Sequence, residues 1–129
     1  IFRTANKDNT IIFYNNAPNL RISMFKKKGI QLVRSKLIKH KYFDLKLILK
    51  KLYMLGCRNL LVEGGNDLSS SFVKKKLFNQ FYLFKSPNNL SKLHSYKDFN
   101  FFKNLSQNYK TKSKINTKLG LDSITLYKK

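Results

Sequence analysis

The sequence predicts an α/β fold: a mostly parallel sheet with helices on both faces and an antiparallel C-terminal edge. Three observations predict it. Short β-branched or aromatic runs alternate with helix-length segments whose apolar residues recur every three or four positions. Glycines stand just past two of those segments, at Gly29 and Gly56, where helices commonly stop. The last apolar run, Ser123 to Tyr127, has no crossover helix before it, so it is expected to run antiparallel to its neighbour.

The elements follow in order. Thr10 to Tyr14 (TIIFY) reads as a strand closed by Asn15, Asn16 and Pro18, residues of turn chemistry. Leu20 to Lys28 reads as a short helix with Leu20, Met24 and Phe25 inward and Gly29 as its cap. Ile30 to Val33 is the next strand, and Arg34 to Tyr42 a basic connection. The clearest helix is Asp44 to Leu55, with Asp44 as N-cap and Gly56 beyond its end; its apolar face takes Leu45, Ile48, Leu49, Leu52, Tyr53 and Leu55. Leu47 and Met54 fall among its lysines. Asn59 to Val62 has no polar alternation and predicts a strand buried on both faces. A helix then starts near Asn66 or Asp67, turns Leu68, Phe72 and Val73 inward and ends in Lys74 to Lys76. Gln80 to Phe84 (QFYLF) reads as another buried strand. Asn88 to Ser113, with Phe99, Phe101, Phe102 and Leu105 as anchors, has no clear period and is left unassigned.

A chain of 129 residues fits one domain, 1–129, with one core. Hydrophobic residues at 42% and aromatics at 14% are a folded composition. Lys and Arg number 27 against 6 Asp and Glu, a formal charge of +21, and such a field attracts any polyanion or phosphorylated molecule. Much of that charge travels with Asn, Ile, Phe and Tyr, which share A/T-rich codons with Lys. The two triple-lysine runs, Lys26 to Lys28 and Lys74 to Lys76, fall at predicted helix ends, where cations complement the backbone dipole. A single cysteine, Cys57, excludes an internal disulfide and suits the cytoplasm. No apolar stretch approaches bilayer length and the first residues show no signal-peptide pattern, so no membrane partner is expected. His40, His94 and Cys57 make no metal-ligand pattern.

The motif that carries chemistry is Glu63-Gly64-Gly65. A strand, two glycines and a helix start form the arrangement a phosphate-binding turn requires: unpaired N–H groups, a favourable dipole and a backbone an anion can approach. Glycine also allows a positive φ there. Ser69 and Ser70 stand close enough in sequence to donate hydroxyls. The same turn can be merely tight, and Glu63 can equally pair with a lysine, cap local backbone or hydrogen-bond a substrate. Neither G-x-G-x-x-G nor a phosphate loop ending in Gly-Lys-Ser/Thr occurs.

From Cys57 to Pro87, CRNLLVEGGNDLSSSFVKKKLFNQFYLFKSP resembles the reductase domain of riboflavin biosynthesis, the C-terminal half of the bifunctional deaminase-reductase. The terminal LGLDSITLYKK resembles that family's closing strand. The resemblance implies a dihydrofolate-reductase-like fold with NADPH as cofactor. It also implies reduction of the ribosyl group of 5-amino-6-(5-phosphoribosylamino)uracil to a ribityl chain. Carried over by position, Gly64, Gly65 and Asn66 would hold the cofactor phosphates, Asn15 and Asn16 would border the cofactor, and Glu63 would face substrate. No catalytic acid–base residue is implied, because the hydride comes from the cofactor. The phosphorylated pyrimidine would be the partner, and a homo-oligomer the assembly. Departures are Phe78-Asn79-Gln80, where relatives carry two acids, and Asn88-Asn89-Leu90, where they carry Leu-Leu-Gly. The family's first strand and substrate-phosphate loops would precede Ile1, so the chain is expected to be the C-terminal portion of a reductase domain. Two rivals remain: a basic nucleic-acid-binding module that stacks bases on Tyr42, Tyr96 and Tyr109, and a non-catalytic remnant of the reductase domain. Lysines spread along the chain, with no nucleic-acid-binding motif, weigh against the former.

Overall fold

The β-branched run after Thr10 forms β1 (Ile11–Tyr14), and α1 (Asn19–Lys27) carries the chain back to β2 (Gln31–Arg34). β1 and β2 pair in parallel, Ile11 opposite Gln31 through Tyr14 opposite Arg34. This is the expected β-α-β unit. In the computed structural model, residues 3–39, 41–87, 105–107, 109–116 and 120–129 are described. They fall into two compact units, Ile1–Leu60 and Leu61–Lys129.

In the first unit, β3 (Leu37–Ile38) and β4 (Tyr42–Phe43) pair antiparallel within what reads from sequence as a basic connection. α2 (Leu45–Met54) follows, its N-terminus capped by Asp44, whose carboxylate accepts the Lys46 N–H at 2.9 Å. Leu45, Ile48, Leu49 and Leu52 are half-buried on its inner face, as their spacing predicts. Tyr53 and Leu55 are exposed instead. Tyr53 lies under Arg58, with the guanidinium carbon 4.2 Å from the ring centroid and an Arg58 Nη1 donor 3.0 Å from the Tyr53 carbonyl. On α1, Phe25 and Ile22 turn inward, while Leu20 and Met24 face solvent. Among the described residues of this unit, Ala5 and Ile30 are buried.

The second unit opens with α3 (Asn66–Lys74), followed by the antiparallel sheet β5-β7-β6, built from β5 (Gln80–Lys85), β6 (Thr111–Ile115) and β7 (Ser123–Lys128). β7 is antiparallel to both neighbours, as expected of the last strand. Its alternation is strict: Ile124 and Leu126 are buried on one face, while Tyr127 packs from the other against the core of Val73, Leu105 and Tyr109. Phe81, directly opposite Tyr127, and Phe78 join that core. Phe78 stacks on Tyr109 at 4.2 Å between centroids.

Three expectations need correction. The sheets are short and mostly antiparallel, with β1–β2 the parallel pair among the described residues. Asn59 to Val62 is not a strand, and Leu60, Leu61 and Val62 are exposed; a strand buried on both faces needs ladder partners, and none of the described strands pairs with it. β5 is half-buried only at Phe81 and Leu83, with Tyr82 and Phe84 exposed. In the unassigned stretch, Phe99, Phe101 and Phe102 lie outside the described residues, but Leu105 is a core residue and Thr111–Ile115 a strand.

The helices α1, α2 and α3 end in the same way. Gly29, Gly56 and Lys76 each take a positive φ just past the C-cap. In each case the next residue's N–H returns to the helix: Ile30 to the Phe25 carbonyl at 3.1 Å, Cys57 to Leu52 at 3.0 Å and Leu77 to Phe72 at 3.0 Å. The glycines meet this conformation without steric cost, whereas a lysine with φ +53° does not. Lys76→Gly is therefore expected to raise stability by about 1 kcal/mol. Urea unfolding checks it, and an unchanged midpoint would refute the strain at this turn.

Tyr109 is buried and its hydroxyl has no hydrogen-bond partner among the described residues. Burial pushes it above the ordinary tyrosine value of 10.0. Above that pH the unfolded chain ionises Tyr109 while the folded chain resists, so the unfolded state binds fewer protons and stability falls as pH rises. Tyr109→Phe is expected to equal or exceed the parent in stability at neutral pH, since it removes an unpaired buried hydroxyl. Its advantage should widen above about pH 10. Denaturant titrations at both pH values check this; a clear loss of stability at neutral pH would show that the hydroxyl is paired.

Candidate functional site

Glu63, Gly64 and Gly65 lead directly into α3, and all three are exposed. Gly65 is the helix N-cap, with φ −69° and ψ 180°. The positive φ allowed for these glycines is not used: the left-handed glycines are Gly29, Gly56 and Gly120. What the two glycines provide is space, and they provide it differently. A Cβ on Gly64 would stand 2.7 Å from Leu68 Cδ2 and 3.1 Å from Leu68 Cβ, whereas one on Gly65 would meet nothing within 4 Å among the described residues. Gly64 lets the preceding irregular segment close down on the first turn of α3. Gly65 leaves the surface ahead of that turn open.

The hydroxyls suggested as donors are engaged locally. Ser69 Oγ donates to the Gly64 carbonyl at 3.3 Å, and Ser70 Oγ donates to Asn66 Oδ1 at 3.2 Å. A serine has one hydroxyl proton, so neither is free to hold an anion in this arrangement. Backbone N–H groups of the first turn remain the natural anion donors. Asp67 in that turn already answers the helix dipole and opposes a second negative charge. The Glu63 carboxylate has no ion pair or hydrogen bond among the described residues, so neither a lysine pairing nor a capping role is realised.

Asn15 and Asn16 belong to the first unit, where Asn15 closes the carboxyl end of the parallel pair. Its Nδ2 donates to the Ser35 carbonyl at 3.0 Å, and the Ser35 N–H donates to the Tyr14 carbonyl at 2.7 Å. Asn16 is exposed. Sequence reasoning missed the residues that gather beside Asn15. Arg34 Nε donates to the Asn15 carbonyl at 3.3 Å, and Lys51 Nζ donates to both the Arg34 carbonyl and Ser35 Oγ at 3.0 Å. A cavity of about 210 Å³ opens here, lined by Arg34, Ser35, Lys36, Asp44, Leu47, Ile48 and Lys51. The available signal was positional, because ligands in parallel sheets bind beyond strand carboxyl ends. Among the described residues no three His, Cys, Asp or Glu side chains converge as a metal site would require, and no helix is long and apolar enough to cross a membrane.

The contrast between the two glycines is testable. Gly64→Ala is expected to cost about 1 kcal/mol through crowding of Leu68, and Gly65→Ala to stay within about 0.5 kcal/mol of the parent. Equal losses in thermal unfolding would refute the division of roles.

Comparison with known proteins places this geometry in a family. The family model described as the RibD C-terminal domain matches residues 1–93. The chain is also 31% identical over 111 residues to the riboflavin biosynthesis protein RibD of Aquifex aeolicus (strain VF5), an alignment covering 86% of this chain and 30% of that protein. The chain thus spans less than a third of the relative's length. With the Glu-Gly-Gly turn inside the matched region, the chain belongs to the RibD C-terminal domain family, the riboflavin-biosynthesis reductase domain that Cys57 to Pro87 resembles.

Proposed function

We propose that the chain acts in the NADPH-dependent reduction of 5-amino-6-(5-phosphoribosylamino)uracil to its ribitylamino product. The observation that carries the reading is the open surface at Gly65, ahead of α3 and within the region shared with the RibD C-terminal domain. An extended dinucleotide needs a helix start that no side chain obstructs, and the backbone N–H groups of Asn66 and its neighbours would meet a phosphate there. NADPH would supply the hydride; the protein binds and orients the two reactants. Glu63, exposed and unpaired among the described residues, is left to hydrogen-bond the polar substrate. Asn15 and Asn16 are proposed as the cofactor's border in the first unit.

The test is an NADPH titration at physiological salt. Saturable binding is expected for the parent chain. Gly65→Glu, which fills the open space with a charged side chain, should weaken it at least about tenfold while leaving the fold intact by circular dichroism. Glu63→Gln should keep NADPH affinity and impair use of the pyrimidine. A folded parent that ignores NADPH would overturn the reading. Binding that collapses with salt and ignores Gly65→Glu would favour a general polyanion surface.

A further inference from the structure

We infer that the outward stripe of α2 is a contact for single-stranded nucleic acid, with the Tyr53–Arg58 pair as its stacking platform and Lys46 and Lys50 as its phosphate contacts. Helix geometry makes the stripe. Lys46, Lys50 and Tyr53 stand at i, i+4 and i+7, within about a sixth of a turn of one another and about 10 Å from first to last. All three are exposed, while Leu45, Ile48, Leu49 and Leu52 on the inner face are half-buried. α2 itself contains no acid. Asp44, at its cap, is half-buried, with one oxygen engaged by the Lys46 N–H. The stripe is therefore cationic, with no carboxylate along it.

The platform is ordered before any ligand arrives. Arg58 Nη1 donates to the Tyr53 carbonyl at 3.0 Å, which holds the guanidinium 4.2 Å from the centre of the Tyr53 ring. Tyr53 is 61% exposed and Arg58 is exposed with it, so a planar base can extend the stack without first ordering a flexible side chain. Met54, 74% exposed beside Tyr53, offers a polarizable edge to the same base. Of the tyrosines expected to stack bases, Tyr109 is buried and Tyr96 lies outside the described residues. Tyr42 is exposed, with Lys41 Nζ 5.1 Å from its ring centroid, a looser pair of the same kind. Other occupants fit the stripe less well. A second copy related by a two-fold axis would set its lysines against the same lysines. A lipid surface would need the apolar arc of α2, which is turned inward. A duplex keeps its bases stacked on one another and offers phosphates alone.

The test is fluorescence anisotropy with labelled oligothymidylate and oligouridylate of about twelve nucleotides, each compared with an abasic strand of equal length. The abasic strand carries the same phosphates and no base. At least one base-bearing strand is expected to bind about fivefold or more tighter than the abasic one. Tyr53→Leu keeps an apolar side chain at an exposed position and should erase that preference, leaving abasic binding within about twofold. Arg58→Lys keeps the charge, loses the planar guanidinium and should act in the same direction. Lys46→Gln/Lys50→Gln should weaken every strand and lower the salt slope by about 1.4, the share of two phosphate contacts. Circular dichroism checks that each variant stays folded.

A preference for oligothymidylate or for oligouridylate identifies the strand as DNA or RNA, and either supports the stripe. Equal binding of base-bearing and abasic strands, or a preference that survives Tyr53→Leu, would overturn it and leave only the general field of a +21 chain. Phosphatidylserine vesicles bound through Tyr53 while both strands are ignored would give the stripe to a lipid surface. Self-association lost in Tyr53→Leu, again without strand binding, would give it to a second copy; each overturns the inference. Neither Tyr53 nor Arg58 belongs to the proposed NADPH site, so NADPH affinity should stay within about twofold in Tyr53→Leu. A parallel loss of NADPH would show that the platform holds the cofactor and would overturn the nucleic-acid contact while supporting the reductase reading.

Discussion

The constraint on which these elements depend is the left-handed residue after each of α1, α2 and α3. A helix can feed a strand only if the chain reverses within a residue or two, and the reversal must satisfy carbonyls that the helix leaves unpaired. At Gly29, Gly56 and Lys76 one backbone conformation does both, with paired hydrogen bonds closing each end. The first reversal starts β2 alongside β1. The second releases the segment leading to Glu63. The third turns α3 into Phe78 and β5, so that Val73 and Phe78 share the core with Tyr109.

Helices and their ends were legible because their signals are local. Asp44 as cap, Gly29 and Gly56 as stops, and the spacing of Leu45, Ile48, Leu49 and Leu52 each act within a few residues. Strands were legible only where a residue pattern coincided with a partner. SITLY alternates and finds partners on both sides. TKSKI has one apolar residue in five and became β6 through pairing with β7, which no local pattern reveals. Leu60 to Val62 shows the converse. Its apolar run satisfies every local rule for a buried strand, yet exposure and an absent ladder leave it irregular among the described residues.

The same division explains the site. The Glu-Gly-Gly sequence marks the start of α3, but its glycines do not use the positive φ that the sequence allows there. Backbone freedom is a property of glycine anywhere; the space a Cβ would fill depends on what stands opposite. Leu68 stands opposite Gly64 and nothing stands opposite Gly65. Similarly, Ser69 and Ser70 looked available in sequence because their acceptors, the Gly64 carbonyl and the Asn66 amide, are local partners that only the folded turn selects.

A charge of +21 makes attraction to phosphate easy and discrimination hard. Exposed lysines at helix ends contribute a field that falls off within a Debye length and favours every anion alike. Discrimination needs cations whose positions are already settled, so that binding one ligand does not require ordering flexible side chains. Arg34 and Lys51 meet that condition through acceptors at the carboxyl ends of β1 and β2, Asn15, Arg34 and Ser35, whereas among the described residues no side-chain bond anchors Lys26 or Lys27 at the end of α1. The parallel pairing that places Asn15 beside Ser35 therefore does more than build a sheet. It converts two of many interchangeable positive charges into fixed donors at the strand ends, where an α/β unit presents its ligand site.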